Sequence, residues 1–148
     1  MIEILKLTQA DRPEWEALYR GYADFYQVPM TAEILATVWG WIQDDSNPFY
    51  ALLARDETGK AVGFIHCRQM PSPLRGAMVG FLDDLFVSPE ARGQGVVNAL
   101  FQGLNQLGRN NGWPFIRWIT AENNYRGRAV YDRLSDKTHW VTYQKSVD

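Results

Sequence analysis

The stretch LDDLFVSPEARGQGVVNAL, residues 82–100, decides the fold. It begins as an apolar run with strand character, stops at Ser88-Pro89, passes through Arg92-Gly93-Gln94-Gly95 and then takes on helical periodicity. A strand, a glycine loop and a helix N-terminus together form an anion site, because unpaired N–H groups and the helix dipole both attract negative charge. Glycine also lets the backbone approach a phosphate closely. The sequence therefore predicts a diphosphate-bearing ligand held mostly by main chain.

The spacing of this loop excludes two common nucleotide motifs. A mononucleotide P-loop needs Lys-Ser/Thr after its second glycine, where this chain has Val96-Val97. A dinucleotide fingerprint needs a third glycine and a βαβ unit near the start of the chain. Neither pattern is present.

The stretch does resemble the acetyl-CoA loop of the GNAT superfamily of N-acetyltransferases. That loop reads Gln/Arg-x-x-Gly-x-Gly/Ala and follows a strand that ends in Val-x-Pro. Arg92, Gly95 and the lead-in Val87-Ser88-Pro89 match it, whereas Val97 stands where the family prefers Gly or Ala and would narrow the space beside the cofactor. The resemblance implies acetyl-CoA as cosubstrate, with these contacts: Leu85, Phe86, Val87, Arg92, Gly93, Gln94, Gly95, Val97 and Asn124. One backbone N–H of the strand at 85–87 would polarise the thioester carbonyl.

A second constellation follows the predicted strand at 115–119. Many GNAT enzymes carry an Asn and, seven residues later, a Tyr beside the CoA thiol; Asn124 and Tyr131 have that separation. A phenol with a pKa of about 10 stays protonated at neutral pH and is able to give its proton to a leaving thiolate. Tyr131 is thus the candidate acid, or else a packing aromatic; Asn124 contacts the cofactor or caps a helix.

Asp83 and Asp84 are adjacent carboxylates on an otherwise apolar strand. Strand alternation predicts that they face opposite sides of the sheet. In several GNAT enzymes an acid on this strand accepts the proton of the amine, and Asp83 occupies that place; the alternative is a solvated or salt-bridged carboxylate. His66 and His139 lack a nucleophile or ligand set, so no metal is expected.

Composition limits the remaining classes. A chain of 148 residues with 46% apolar content predicts one globular domain over residues 1–148. The net charge of −2 disfavours nonspecific nucleic-acid binding. The single Cys67 fits a reducing cytoplasm, and no apolar run reaches membrane-spanning length, so we expect a cytoplasmic protein without a membrane partner.

The periodicity predicts an α/β fold: a strand, two helices, three strands, then a helix, a strand, a helix and a last strand at 140–144. Asp11 and Thr31 are expected to cap the first two helices. This is also the GNAT order, a mixed and mostly antiparallel sheet with helices on both faces. The apolar edge of the last strand predicts a homodimer.

These patterns together predict an acetyl-CoA-dependent N-acetyltransferase that acts on a small-molecule primary amine. No Cys or Ser lies in a nucleophile setting, so direct attack in a ternary complex is expected. The Arg-rich loop and the tail at 140–143 resemble the histone- and polyamine-acetylating branch. Two alternatives stay open: acetylation of a protein lysine or N-terminus, and a non-catalytic acyl-CoA sensor or interaction module.

Overall fold

The computed structural model describes all 148 residues and divides them into two compact units, residues 1–118 and 119–148. The first unit contains all five strands and three helices, and the second contains one helix. The strands are β1 (Glu3–Lys6), β2 (Phe49–Arg55), β3 (Ala61–Ser72), β4 (Ala77–Val87) and β5 (Ile116–Arg117). The helices are α1 (Arg12–Tyr26), α2 (Ala32–Gln43), α3 (Val96–Asn111) and α4 (Tyr125–Leu134). The prediction of a single domain stays a prediction.

The sheet has the order β1-β2-β3-β4-β5. Its first four strands are antiparallel neighbours, and β5 runs parallel to β4. The β4–β5 pairing consists only of Gly80 with Ile116 and Phe81 with Arg117. Beyond Phe81, the edge of β4 that faces away from β3 therefore has no strand partner.

Helices of the first unit cover both faces of this sheet. On one face, Leu18 of α1 packs with Leu53, Phe64 and Phe86, and the neighbouring cluster joins Trp15 to residues of α2. On the other face, α3 lies close to the strands: a Cβ at Gly63 would lie 3.2 Å from the Val96 side chain. Because β3 alternates, Phe64 faces α1 whereas Gly63 faces α3. The predicted fold class is confirmed.

Two helix starts differ in how they are capped. The hydroxyl of Thr31 accepts a hydrogen bond from the Ile34 N–H, as predicted. Asp11 occupies the N-cap position of α1, but its side chain makes no cap bond. The carboxylate instead pairs with Arg55 of β2 and accepts from the Thr8 N–H. The Asp11 carboxylate is therefore engaged by Arg55 and by the preceding turn instead of capping α1.

The predicted last strand is wrong. Residues 136–148 form neither strand nor helix, and Trp140 and Tyr143 are largely exposed. Alternation indicates a strand only where a neighbour supplies ladder hydrogen bonds, and that depends on tertiary structure. β5 is likewise shorter than the predicted 115–119. No helix combines the length and hydropathy that a membrane span requires.

Candidate active site

The loop before α3 has the backbone that its glycines predict. Gly93 and Gly95 have φ angles of 79° and 80°, in the left-handed region, and a Cβ at either position would meet no atom within 4 Å. Gly95 is the N-cap of α3, and no side chain caps this helix. The N–H groups of the first turn therefore have no intrahelical acceptor and no capping side chain. The loop presents open space, donors and the positive end of a 16-residue helix.

This donor set fits the diphosphate of acetyl-CoA. A phosphate needs several N–H donors with no side chain in front of them, which Gly93 and Gly95 supply. Arg92 and Val97 are half-buried on either side, and Gln94 is exposed, with its amide near the Glu90 carbonyl. The predicted loop residues therefore lie together.

Leu85, Phe86 and Val87 offer backbone groups along the free edge of β4. Each is paired with β3 on one side, to Ile65, Phe64 and Gly63 respectively. On the other side β5 has already ended its pairing, so backbone groups there have no strand partner. An extended amide chain such as pantetheine is a suitable partner for such an edge.

A β-bulge interrupts the pairing of β3 with β4 at Asp83. His66 is opposite Asp84 and Cys67 is opposite Leu82, which leaves Asp83 as the extra residue. Asp83 pairs with Arg68 and Asp84 with His66, two residues that project from the same face of β3. The prediction that the two carboxylates face opposite sides is therefore wrong, because the bulge breaks the alternation.

Asp84 is the centre of a buried hydrogen-bond network. Its Oδ2 lies 2.8 Å from His66 Nδ1 and accepts from the Tyr19 hydroxyl at 3.0 Å. Trp15 Nε1 donates to His66 Nε2 at 2.9 Å, so we assign the His66 proton to Nδ1, which donates to Asp84. Burial acts to raise the pKa of Asp84, but bonds from His66, Tyr22 and Tyr19 outweigh it and lower that pKa. Asp84 is held ionised.

The pKa of Asp83 is shifted in the opposite direction from that of Asp84. Its Oδ1 is 3.2 Å from Arg68 Nε, whereas its Oδ2 is buried and has no hydrogen-bond partner. Burial raises the pKa of Asp83; the Arg68 charge opposes this rise, and the Asp84 charge adds to it. Adjacent carboxylates whose pKa values are moved in opposite directions are typical of an acid–base site. The Oδ2 of Asp83 is therefore a buried acceptor that no protein donor satisfies.

Asn124 and Tyr131 lie in the second unit. Asn124 caps α4: its Oδ1 accepts from the Gly127 N–H at 3.2 Å, and its Nδ2 donates to Thr120 at 3.0 Å. The absence of a side chain at Gly127 permits this, since a Cβ there would lie 2.5 Å from the Asn124 amide nitrogen. Tyr131 lies on the same helix, half-buried. The capping alternative for Asn124 is confirmed, and the predicted contacts of both residues with cofactor and thiol stay predictions.

Cys67 is an unsuitable nucleophile. The thiol is fully buried on β3, and burial, with the Asp83 charge as a second cause, raises its pKa to about 12. The thiolate is the reactive form of cysteine, so this thiol is inert at neutral pH. No group of three or more His, Cys, Asp or Glu side chains is placed to hold a metal ion.

Sequence reasoning missed the bulge, Asp84 and its three donors. One signal was available: the apolar strand at 61–67 contains a single ionisable histidine, and a buried polar group requires a partner. The neighbouring strand β4 contains two adjacent carboxylates, and one of them was the available hydrogen-bond partner for that histidine. Trp15 and Tyr19 complete the network from a helix that lies 51 residues before His66 and 65 residues before Asp84, respectively, so they carry no local signal.

The chain belongs to the acetyltransferase (GNAT) family, whose model matches residues 15–135. It is similar to the D-amino-acid N-acetyltransferase of Saccharomyces cerevisiae, at 27% identity over 98% of this chain and 91% of the relative. An uncharacterized N-acetyltransferase of Archaeoglobus fulgidus is 26% identical over 86% of this chain and 89% of its own. The resemblance noted from the glycine loop is confirmed.

Solved structures share the fold. A ribosomal-protein-alanine N-acetyltransferase from Brucella melitensis superposes with a TM-score of 0.84 at 24% identity, covering 99% of this chain and 100% of that one. The aminoglycoside N-acetyltransferase AAC(6')-Iy in complex with CoA gives a TM-score of 0.84 at 21% identity, over 99% and 95% of the two chains. The protein is an acetyl-CoA-dependent acyltransferase, and acetyl-CoA is its cosubstrate.

Proposed function

We propose that this protein transfers the acetyl group of acetyl-CoA to the primary amine of a small molecule by direct attack in a ternary complex. The observation that carries the proposal is the buried, unpartnered Oδ2 of Asp83 beside the free edge of β4. A buried acceptor without a donor is costly unless a ligand completes it. The N–H groups of a primary amine are suitable donors. The similarity to an acetyltransferase of D-amino acids supports a small-molecule acceptor.

Each residue has one task in this proposal. The amides of the loop at 92–95 hold the diphosphate, and backbone groups at 85–87 hold the pantetheine arm. Asp83 takes the proton of the amine, for which its raised pKa suits it. The amine nitrogen then forms a bond with the thioester carbon while the carbon–sulfur bond breaks. Tyr131 gives its hydroxyl proton to the departing sulfur, the proton that the acylated nitrogen then loses restores the Tyr131 hydroxyl, and Asp83 releases its proton to solvent.

No covalent acyl-enzyme is part of this scheme. Cys67 is buried with a raised pKa, and attack by the thiol form is slow. Steady-state kinetics should therefore show intersecting rather than parallel lines in double-reciprocal plots.

Tyr131→Phe tests the acid role. The change removes one hydroxyl and almost no volume, so turnover should fall about 100-fold or more if the hydroxyl protonates the sulfur. The Michaelis constants for acetyl-CoA and amine should move little, because the contact matters mainly in the transition state. Thiol release with a panel of small primary amines measures both quantities. An unchanged rate would return Tyr131 to a packing role, and no release with any amine would favour the sensor alternative.

We also propose a homodimer in the cytoplasm. The segment after α4 exposes large apolar side chains, with Trp140 and Val141 each 73% exposed and Tyr143 92% exposed. Exposed apolar clusters of this kind are typical of interaction surfaces. Light scattering at micromolar concentration should give the mass of two chains, and Trp140→Ser should weaken the dimer. A monomer at that concentration would contradict this part of the proposal.

A further inference from the structure

The Asp83–Arg68 pair has unused hydrogen-bonding capacity on both of its members. Asp83 contributes one oxygen to Arg68 and leaves Oδ2 buried without a donor. Arg68 contributes Nε, and its two terminal nitrogens donate to no protein acceptor. An arginine fork is suited to binding a carboxylate through two parallel bonds. The pair therefore offers an acceptor and a double donor side by side.

Arg68 is both held in position and accessible to a ligand from solvent. Its guanidinium carbon lies 4.8 Å from the Phe81 ring centroid, so stacking holds the group in place. The Arg68 side chain is 51% exposed, whereas that of Asp83 is 27% exposed. A ligand would thus meet the guanidinium at the entrance and the carboxylate deeper in, next to the free edge of β4.

From this geometry we propose that the acceptor is an α-amino acid, with its ammonium group on Asp83 and its carboxylate on Arg68. This inference rests on the proposed function and names the substrate class of the same site. In an α-amino acid the nitrogen and the carboxyl carbon are two bonds apart, about 2.5 Å from standard backbone dimensions. The two side chains are in direct contact, with Asp83 Oδ1 3.2 Å from Arg68 Nε, so the remaining Asp83 oxygen and the terminal Arg68 nitrogens belong to adjacent groups that one short zwitterion can bridge.

Other amine classes fit the pair less well. A polyamine has several cationic donors, and one of them could bind Asp83. Its other positive charges would repel Arg68, and it has no acceptor for the Arg68 donors. A lysine side chain has its nearest carboxylate or carbonyl several bonds from the amine, beyond the span of the pair. An amine that lacks the carboxylate fills only the Asp83 half of the subsite. An α-amino acid thus differs from the histone and polyamine acceptors that the sequence resemblance suggested.

The test compares three acceptors that share one side chain. Both enantiomers of phenylalanine, phenylalaninamide and phenethylamine are assayed for kcat/KM by thiol release. Phenylalanine, in at least one enantiomer, should exceed phenethylamine by about 10- to 100-fold, the range for a charged hydrogen-bond pair. Arg68→Gln should remove most of that preference, chiefly through the KM of phenylalanine. The ratio between acceptors is the readout, because any effect of Arg68 on Asp83 as a base is common to all of them.

Arg75→Gln is the matched control. Arg75 also stacks on a phenylalanine, with its guanidinium carbon 5.1 Å from the Phe115 ring centroid, and it makes no ion pair with Asp83. Its substitution should leave the acceptor ratio within about twofold. The inference is overturned if phenethylamine or the amide is preferred, or if Arg68→Gln lowers all three acceptors equally.

A binding measurement separates this inference from the proposed function. If no amine releases thiol, the proposed function fails. Phenylalanine binding to the CoA-loaded protein, followed by amide chemical shifts, still decides the inference, because it requires no turnover. Weaker binding in Arg68→Gln, but not in Arg75→Gln, supports it; equal binding in both variants and the unmodified protein contradicts it.

Discussion

The glycine loop and the bulge on β4 lie at consecutive parts of the same stretch, yet they are built on opposite principles. Gly93 and Gly95 have no side chains, so main-chain donors are exposed at the positive, N-terminal end of α3. At Asp83 and Asp84 the chain inserts an extra residue, and two charged side chains are placed within a largely buried environment. Main-chain N–H groups alone are sufficient to bind a diphosphate. Transfer of a proton requires an ionisable side chain, and the residues around that side chain set its pKa.

The largest effect should follow from Asp83→Asn. If Asp83 accepts the proton of the amine, turnover near neutral pH should fall about 1,000-fold, within the range for a positioned general base. The affinity for CoA, measured by calorimetry, should change less than threefold, because in the proposed function the loop at 92–95 binds the diphosphate without help from Asp83. A loss of CoA affinity as large as the loss of turnover would contradict the assignment of proton transfer to the bulge and of CoA binding to the loop.

Gly95→Asp should produce the reverse pattern. The added carboxylate would lie at the proposed diphosphate position and repel the diphosphate, so the dissociation constant for CoA should rise about 100-fold. Gly59→Asp is the matched control: Gly59 has a φ of 86° and a Cβ there would also meet no atom within 4 Å. Both variants carry the same left-handed strain, about 1–2 kcal/mol. Only the loop variant should lose CoA; equal affinities in the two would contradict the site assignment.

Asp84→Asn should reduce stability rather than binding. Asp84 has a lowered pKa in the folded state, so its stabilising contribution is present above the unfolded value of about 3.9 and is lost as pH falls through the lower folded value. We expect a loss of about 2 kcal/mol at pH 7, from bonds to a charged acceptor, that shrinks toward pH 3. Urea unfolding at the two pH values measures it.

Asp83→Asn is the internal control for that experiment. The pKa of Asp83 is raised, so ionisation of this group costs stability as pH rises through the folded value. Removal of its charge should leave the protein as stable or more stable at pH 7. Two losses of equal size would mean that the neighbouring carboxylates occupy equivalent environments, contrary to the structure.

The smallest effect should come from Val97→Gly. Val97 is half-buried in the first turn of α3, where the GNAT pattern favours a small residue. Removal of the Val97 side chain should tighten CoA binding a fewfold, although glycine in a helix lowers the free energy of unfolding by about 1 kcal/mol. Weaker binding by a well-folded variant would show that Val97 contacts the cofactor.

Local patterns explain why the loop was predictable and the bulge was not. Glycines, a terminating proline and a change of periodicity within about 15 residues fix the backbone of the loop, whatever surrounds it. The position of Asp83 depends on a register shift relative to β3, which no alternation within β4 reveals. The strand predicted at 140–144 failed for a related reason, since pairing requires a partner that the local pattern does not specify.

The pH dependence of the Asp83→Asn defect tests the central claim most directly. The claim is that Asp83 removes a proton from the bound amine, and the test uses phenethylamine, a simple alkylamine whose pKa in solution is about 10. As pH rises from 7 to 9.5, the deprotonated share of the free amine grows about tenfold per unit, and the base becomes less necessary. The ratio of unmodified to Asp83→Asn turnover should therefore shrink steadily with pH. A ratio that stays constant over this range would contradict the account and leave Asp83 as a positioning carboxylate.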